Sequence, residues 1–249
     1  MASSHMAAND CLVQLERLLE SLSGDNSPTT IQDNLALLNR VGVRDSFVPL
    51  IERIISNPGL LAEVASRSYR HVNHFDKLVL VGSDKLHGYR LTLHLWSPPY
   101  GDKELKKESI HDHRFNFWSV ILTGILMSEN FVESPDGEVM RQYRYVPEKR
   151  TLDVKNFYQF IGETRLSRSE TLRKYAGESY YQSSPSIHRV LLPDSMTCTL
   201  VLRGPRQRNF TNTFRTDQPK VNTQVETSMY SASVVEEKLK ALLNAIERA

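Results

Sequence analysis

The feature that most constrains the fold is a change of pattern along the chain at about residue 77. Before it, apolar residues recur at helical spacing; after it, short apolar or alternating runs are separated by Pro, Gly, Asp and Asn. Such runs are typical of antiparallel strands in a sandwich or barrel. The predicted strands are 78–81, 89–96, 117–123, 125–132, 142–146, 180–183, 187–192 and 197–203.

Helices are predicted on both sides of the strand-rich region. Asp10 and the Asn57-Pro58 pair begin the first and fourth helices, because Asp and Asn cap helices and Pro suits the first helical position. Two further helices are expected at about 30–39 and after Asp45. Near the C-terminus, the Ser-Val-Val-Glu sequence at 233–236 indicates a capping box that begins a last helix.

We expect one domain over residues 10–249, after a tag-like or disordered start at 1–9. Its parts are a helical segment at 10–76, a β-barrel at 77–205, and a loop with the last helix at 206–249. The polar, basic segment 163–174 is interpreted as a surface insertion, and 204–231 is polar and poorly patterned. The predicted fold class is mainly β: an antiparallel, jelly-roll-like barrel with an N-terminal helical segment and a C-terminal helix.

The composition argues against several classes of protein. The 31 basic and 29 acidic residues give a net charge of +2, so no dominant basic face for nucleic acid is expected. No apolar run approaches the roughly 20 residues of a membrane helix. Two cysteines in 249 residues make no disulfide framework, so we expect a reducing, cytoplasmic setting.

Two histidines stand two residues apart in the sequence Ser-Ile-His-Asp-His at 109–113. Residues i and i+2 of an extended segment point to the same face, so His111 and His113 can hold one cation from inside a barrel. Another histidine, His188, opens a later strand. Imidazole is a ligand for Fe, Zn, Cu and Ni. The alternative is a pair of unrelated surface histidines.

These features resemble a known family. A His-x-His pair, an apolar strand closed by Gly124, and a distant strand with one histidine after a proline turn are similar to the two motifs of the cupin superfamily. More narrowly, the segments 109–113, 187–190 (Ile-His-Arg-Val) and 91–96, with the helical N-terminal quarter, resemble the cysteine dioxygenase group of thiol dioxygenases. The resemblance covers about residues 10–205 and implies a cupin barrel.

The resemblance also implies that His111, His113 and His188 bind Fe(II), where O2 is added to a small substrate. Typical cupins carry a Glu ligand where this chain has Phe117 or Trp118, depending on a one-residue gap. We expect both of these residues to line the pocket. Some thiol dioxygenases have a Cys crosslinked to a Tyr at the same place, and this chain cannot form that crosslink there.

Positions that hold the substrate in cysteine dioxygenases also differ. Their carboxylate-binding Arg would fall near Asp76 or Lys77, and the Ser-x-His-x-Tyr of their last barrel strand is Thr199-x-Val201-x-Arg203 here. We therefore predict a substrate other than cysteine, with Thr199 in the pocket and Arg203 binding the substrate. A guanidinium can hold a carboxylate through two hydrogen bonds; a surface ion pair is the alternative for Arg203.

The strand at 89–96 supplies further candidates. Alternation places Arg90, Thr92, His94 and Trp96 on one face, which by resemblance looks into the pocket. We predict that Arg90, His94 and Trp96 bind substrate and that His94 also acts as a general base. A surface ion pair for Arg90 and a structural core histidine for His94 are the alternatives.

Two tyrosines precede the strand that carries His188. Alternation sends Tyr180 and Tyr181 to opposite faces, so one of them is expected to face the cavity. We predict a catalytic role for Tyr181, because a phenol there would orient O2 or the substrate. Packing within the barrel is the alternative.

The leading functional hypothesis is a non-haem Fe(II) oxygenase that acts with O2 on a small polar metabolite (an amino acid, thiol or carboxylic acid). Three neutral histidines leave up to three positions open on an octahedral metal, so substrate and O2 can bind side by side. A metal-dependent isomerase, lyase or hydrolase without O2 is one alternative, and a non-enzymatic small-ligand-binding protein is another. The sequence leaves the oligomeric state open.

Overall fold

The computed structural model describes residues 10–82, 88–101, 109–146, 158–216 and 228–248. The helices are α1 (Asp10–Glu20), α2 (Pro28–Gly42), α3 (Arg44–Ser56), α4 (Pro58–Ala65) and α5 (Ala232–Glu247). The strands are β1 (Tyr69–Arg70), β2 (Asp76–Val81), β3 (Arg90–Trp96), β4 (Ile110–His111), β5 (Phe115–Thr123), β6 (Ile125–Tyr145), β7 (Tyr158–Tyr175), β8 (Ser179–Gln182), β9 (Ile187–Leu191), β10 (Thr197–Arg206) and β11 (Thr211–Arg215). The predicted mainly β fold with helices on both sides is confirmed. Within the described residues, no helix is long and apolar enough to cross a membrane.

Polar side chains cap the N-termini of α2, α4 and α5. Ser27 caps α2 and Asn57 caps α4 through side-chain oxygens that accept backbone N–H groups, and a proline follows each cap. The capping box predicted at 233–236 is wrong by two residues. The cap of α5 is Ser231, whose side chain accepts a hydrogen bond from the Val234 N–H. Ser231 takes the extended backbone conformation of a cap, so residue 233 already lies inside the first turn.

Two antiparallel sheets form the barrel. The first, called here the helix-side sheet, has the strand order β1-β2-β3-β10-β5-β8. The second, called the outer sheet, has the order β11-β4-β9-β6-β7. Several neighbouring strands in each sheet are distant in sequence, such as β3 and β10 or β4 and β9, as in jelly-roll folds. The space between the two sheets is the barrel interior.

The two faces of the helix-side sheet have different neighbours, because side chains alternate along each strand. Leu91, Leu93 and Leu95 of β3 pack in one core with apolar residues from all five helices. Trp96 lies on the other face and packs in the barrel interior with apolar residues of both sheets: Phe75, Ile121, Leu126, Val190 and Leu192. The sheet therefore separates a helical core from the barrel interior.

Two polar segments differ from the sequence prediction. Segment 163–174, interpreted as an insertion, is part of β7, which pairs with β6 in a long hairpin. β11 lies within the segment 204–231 that lacked a clear pattern, and it pairs with β4 and β6. Most of β7 is exposed, so it lacks the apolar alternation of a half-buried strand. The predicted tag-like start at 1–9 lies outside the described residues, as do residues 217–227.

The turn from β5 to β6 requires a glycine, as the sequence predicts. Gly124 has a φ of +79°. A Cβ atom there would lie 2.5 Å from the carbonyl oxygen of Met196. Glycine avoids both the left-handed strain and this close contact.

Candidate metal centre

The three histidines of the two sequence motifs come together in the barrel interior. His111 in β4 is the direct strand partner of His188 in β9. Partners in an antiparallel pair point to the same face. Here that face looks toward Phe117 of the opposite sheet, whose ring centroid lies 6.2 Å from that of His188. His113 follows two residues after His111, and its ring centroid lies 4.8 Å from that of His111.

The spacing of the ring nitrogens fits a shared ion. The candidate ligand atoms of the three histidines all lie within 4.8 Å of one another. The Nε2 atoms of His113 and His188 are 2.8 Å apart. Two nitrogens bound at about 2.0–2.1 Å to one ion, at right angles, would be about 2.9 Å apart. Among the described residues, no carboxylate or thiolate joins the three imidazoles.

A backbone carbonyl sets the tautomer of His111. Its Nδ1 lies 2.7 Å from the carbonyl oxygen of Ser109. Because a carbonyl oxygen can only accept a hydrogen bond, Nδ1 carries the hydrogen and donates it. The Nε2 lone pair of the neutral ring is then available to a metal, and metal-bound histidines usually have such a partner on the other nitrogen.

Burial keeps the three imidazoles neutral. It lowers the pKa of His111, against the opposing effects of the Ser109 carbonyl and the Asp112 carboxylate. Burial also lowers the pKa of His113 and of His188 well below the usual value, and the neighbouring His111 adds to both shifts. A neutral imidazole is the form that binds a metal. The chemistry of the donor set therefore fits a metal ion.

A buried ion pair holds the loop that carries His113. The carboxylate of Asp112 lies 2.6 Å from the guanidinium of Arg208 and accepts two hydrogen bonds from Asn212. Arg208 also donates to the carbonyl oxygens of His113 and Ser184. Burial raises the pKa of Asp112, while the bonds from Asn212 and Arg208 oppose that shift. The loop is thus tied to two other segments of the chain.

Of the two aromatic residues expected in the pocket, only Phe117 faces the histidines. Its ring centroid is 5.0 Å from that of His113. Trp118 lies on the opposite face of β5, where its indole N–H donates to the Ile31 carbonyl at 3.0 Å. The pocket role predicted for Trp118 is therefore corrected, because alternation turns its side chain into the helical core.

The two tyrosines of β8 also lie on opposite faces. Strand register pairs Tyr181 with Trp118, and their ring centroids are 5.3 Å apart in the helical core. Tyr180 takes the inward position, with its ring centroid 6.0 Å from that of Phe117. The catalytic role predicted for Tyr181 does not fit this placement, and Tyr180 is the phenol beside the site.

Three predicted residues lie together deeper in the barrel. His94 is the strand partner of Thr199 and stacks on Phe75, with ring centroids 4.3 Å apart. The Trp96 ring lies 5.2 Å from that of Phe75. Burial lowers the pKa of His94 well below its usual value, with Lys77 adding to the shift. A neutral His94 has a nitrogen able to accept a proton, as a general base must.

The two predicted arginines are strand partners at the other end of β3. Arg203 is only 7% exposed, so a surface ion pair does not describe it. It donates a hydrogen bond to the Gly88 carbonyl, and its guanidinium lies 5.1 Å from the Phe115 ring centroid. Phe115 in turn lies 5.5 Å from His113. Arg90 is half-buried beside Arg203.

Sequence reasoning missed Lys77. It is the strand partner of His94 and therefore shares the interior face. Burial lowers the pKa of Lys77 to about 7, and the charges of Arg203 and Arg90 add to the effect. The signal was available in β2, where Leu78 and Leu80 occupy the helix-facing positions and Lys77 alternates with them.

Comparisons with known proteins concern the fold. No family model and no curated protein matches the chain. Solved structures that align with it include a cupin-2 domain protein from Shewanella frigidimarina (12% identity, 55% of this chain, 85% of that chain, TM-score 0.29). Another is a cupin superfamily protein from Desulfitobacterium hafniense (10% identity, 57% of this chain, 87% of that chain, TM-score 0.30). A third is a hydroquinone 1,2-dioxygenase in complex with Cd²⁺ and 4-hydroxybenzonitrile (12% identity, 59% of this chain, 72% of that chain, TM-score 0.31).

What the chain's own strand pairing and side chains define is a double-sheet β-barrel with a cluster of three histidines in its interior.

Proposed function

We propose that the protein is a cupin-type non-haem Fe(II) oxygenase related to the thiol dioxygenases. In this proposal His111, His113 and His188 hold the iron, and the enzyme acts with O2 on a small polar metabolite. The observation that carries it is the group of three imidazoles within 4.8 Å, two of them buried and that of His113 half-buried, which no described carboxylate or thiolate joins.

Three neutral ligands suit this chemistry. They leave up to three positions of an octahedral ion for other ligands, so a substrate and O2 can be held next to each other. When bound, ferrous iron would supply the redox chemistry. The free, buried thiol of Cys198 and the need to keep iron ferrous both agree with a reducing cytoplasm.

The chain's own residues would bind and orient the substrate. Phe117, 5.0 Å from His113, presents an apolar ring that excludes water from one side of the cluster. Neutral His94 would accept a proton from the substrate. Arg203 replaces the tyrosine of cysteine dioxygenases, so we propose an acidic substrate other than cysteine.

The test is iron content with oxygen consumption. The purified protein would be loaded anaerobically with Fe(II), freed of excess metal, and measured for iron and for O2 uptake with a panel of small acids and thiols. His111→Ala removes one ligand. His74→Asn is the matched control, since it removes an imidazole outside the cluster, and asparagine tolerates the positive φ of 63° at that position.

We expect about one iron per chain in the wild type and in His74→Asn, and a large loss in His111→Ala. A wild type without stoichiometric iron contradicts the proposal. Turnover that persists when O2 is strictly excluded would instead favour a metal-dependent isomerase, lyase or hydrolase. Saturable ligand binding without turnover, with or without O2, would favour a ligand-binding cupin.

A further inference from the structure

Three cationic side chains share the interior face of the helix-side sheet. Lys77 is the strand partner of His94. Arg90 lies four residues from His94 on β3, on the same face, and is the strand partner of Arg203. This face carries more positive charge than a protein interior normally holds, because buried charges are usually paired.

A row of short side chains separates the lysine from the two arginines. Thr92, Val201 and Ser119 are strand partners across β3, β10 and β5. Two residues along a strand span about 7 Å, so this row lies about that far from the charged rows on either side. The long side chains of Lys77 and Arg203 therefore stand on either side of a row of shorter side chains on the interior face of the sheet.

The cations lack anionic partners among the residues that the structure describes. Neither Lys77 nor Arg90 forms an ion pair with a described residue, and the pKa of Lys77 is lowered by burial and by the charges of three arginines. The Nε of Arg203 and the hydroxyl of Ser119 are buried without a hydrogen-bond partner. Their residues are 7% and 0% exposed. Leaving such groups unpaired is costly, so an anionic acceptor bound here would stabilise them.

This face lies beside the histidine cluster. Phe115 contacts both sides, with its ring centroid 5.5 Å from that of His113 and 5.1 Å from the Arg203 guanidinium. The cationic face and the histidine cluster are therefore neighbours on either side of Phe115.

We propose that Lys77, Arg90 and Arg203 form an anion-binding subsite for a substrate that carries at least two negative charges and no ammonium group. Phosphate esters and dicarboxylates share this chemistry. An ammonium group would be repelled by the three cations, which disfavours free amino acids. The identity of this anion as the substrate rests on the proposed function, whereas the subsite itself does not depend on the metal.

The test is calorimetric titration of metal-free protein, stripped with the neutral chelator 1,10-phenanthroline, at constant ionic strength. The probes are inorganic phosphate, malonate, acetate and alanine. Lys77→Met and Arg203→Met remove one charge each. Lys240→Met is the matched control, because Lys240 is an exposed lysine of α5 paired with Glu236.

Phosphate, malonate or both are expected to bind at one site per chain, at least tenfold tighter than acetate or alanine. Lys77→Met and Arg203→Met should weaken that binding by roughly 10- to 100-fold, as the loss of a charged hydrogen bond does. Lys240→Met should bind as the wild type does. Lys77→Met should unfold at no lower temperature than the wild type, because it removes an unpaired, half-buried charge. Misfolding then does not explain its weaker binding.

The subsite is contradicted if neither dianion binds more tightly than acetate and alanine, or if Lys77→Met binds them as well as the wild type. Phosphate binding alone indicates a phosphate ester, and malonate binding alone a dicarboxylate; each supports the subsite. If the metal-free protein binds dianions but takes up no stoichiometric iron when it is loaded anaerobically with Fe(II), the proposed oxygenase is refuted and the subsite stands. Stoichiometric iron binding without any preference for dianions refutes the subsite and leaves the proposed oxygenase standing.

Discussion

Asp112 stands between His111 and His113 in the sequence, yet its carboxylate is bound to Arg208 at 2.6 Å and is absent from the histidine cluster. The same guanidinium donates to the carbonyl oxygen of His113 at 2.7 Å. Asp112 therefore positions the loop that carries the metal-site histidines.

Replacing the cation of this pair should destabilise the protein. Arg208→Met leaves Asp112 buried without its charge partner, and breaking a buried pair costs about 3–5 kcal/mol. The Arg208 side chain is 20% exposed, so we expect about 3 kcal/mol, the lower end of that range. Urea unfolding of the metal-free protein measures it. The double variant Asp112→Asn/Arg208→Met should recover part of the loss; a single variant as stable as the wild type would show that the pair does not hold the loop.

The stability of the metal-free protein should depend on pH through His94. Burial places the folded-state pKa of His94 well below 6.5, the value of the unfolded chain. The resulting stabilisation is present above pH 6.5 and is lost as the pH falls, because only the unfolded chain takes up the proton. In His94→Phe, the slope of unfolding free energy between pH 6.5 and 5 should decrease by up to about 1.4 kcal/mol per pH unit. Urea unfolding at several pH values checks this, and equal slopes in the two proteins would contradict it.

Two glycines with similar backbone angles should respond differently to alanine. Gly124 and Gly177 have φ values of +79° and +88°. A Cβ atom at Gly124 would meet the Met196 carbonyl, whereas at Gly177 it would enter open space. Gly177→Ala should cost about 1–2 kcal/mol from backbone strain alone, and Gly124→Ala about 1–3 kcal/mol more from overpacking. Thermal or urea unfolding measures both losses. If the two variants lose the same unfolding free energy, the turn at Gly124 is not as tightly packed as the structure shows.

The C-terminal helix should depend on one buried carboxylate. Asp76 is 2% exposed and lies 2.7 Å from Lys238 of α5, and it also accepts a hydrogen bond from Tyr230. Lys238→Met should cost about 1.5–3 kcal/mol in unfolding free energy, the usual effect of losing a charged hydrogen bond. Lys240→Met, which removes an exposed charge from the same helix, should change it by less than about 1 kcal/mol. If both variants lose the same amount, Asp76 does not anchor the helix.

Spacing predicted only part of the histidine cluster. Residues two apart in an extended segment share a face, which brought His111 and His113 together. His188 was added through the resemblance to the cupin motifs, and in the structure its strand pairs with the one that carries His111. The sheet faces were harder to predict. Phe117 and Trp118 are adjacent in one strand, so they could not both point inward. The one-residue gap relative to the cupin motif left open which of the two faces the barrel interior. The same uncertainty about strand faces gave the catalytic role to Tyr181, whereas Tyr180 is the tyrosine that lies beside the histidines.

The elements that sequence reasoning missed are polar. β7 is a mostly exposed strand, so selection for a buried face leaves little pattern in it. In β11, the buried positions are Asn212 and Phe214, and the asparagine hides the alternation. Lys77 was overlooked because a lysine in a strand is usually exposed. Its inward position depends on the strand partner His94, which the sequence alone does not reveal.

The central claim is that one iron ion is bound by His111, His113 and His188. X-ray absorption at the iron edge of protein loaded anaerobically with Fe(II) tests it most directly. The account predicts about one iron per chain, with scattering from about three imidazole rings at roughly 2.0–2.2 Å, a distance typical of metal–histidine bonds. Iron that is substoichiometric, or bound without imidazole scattering, would contradict it.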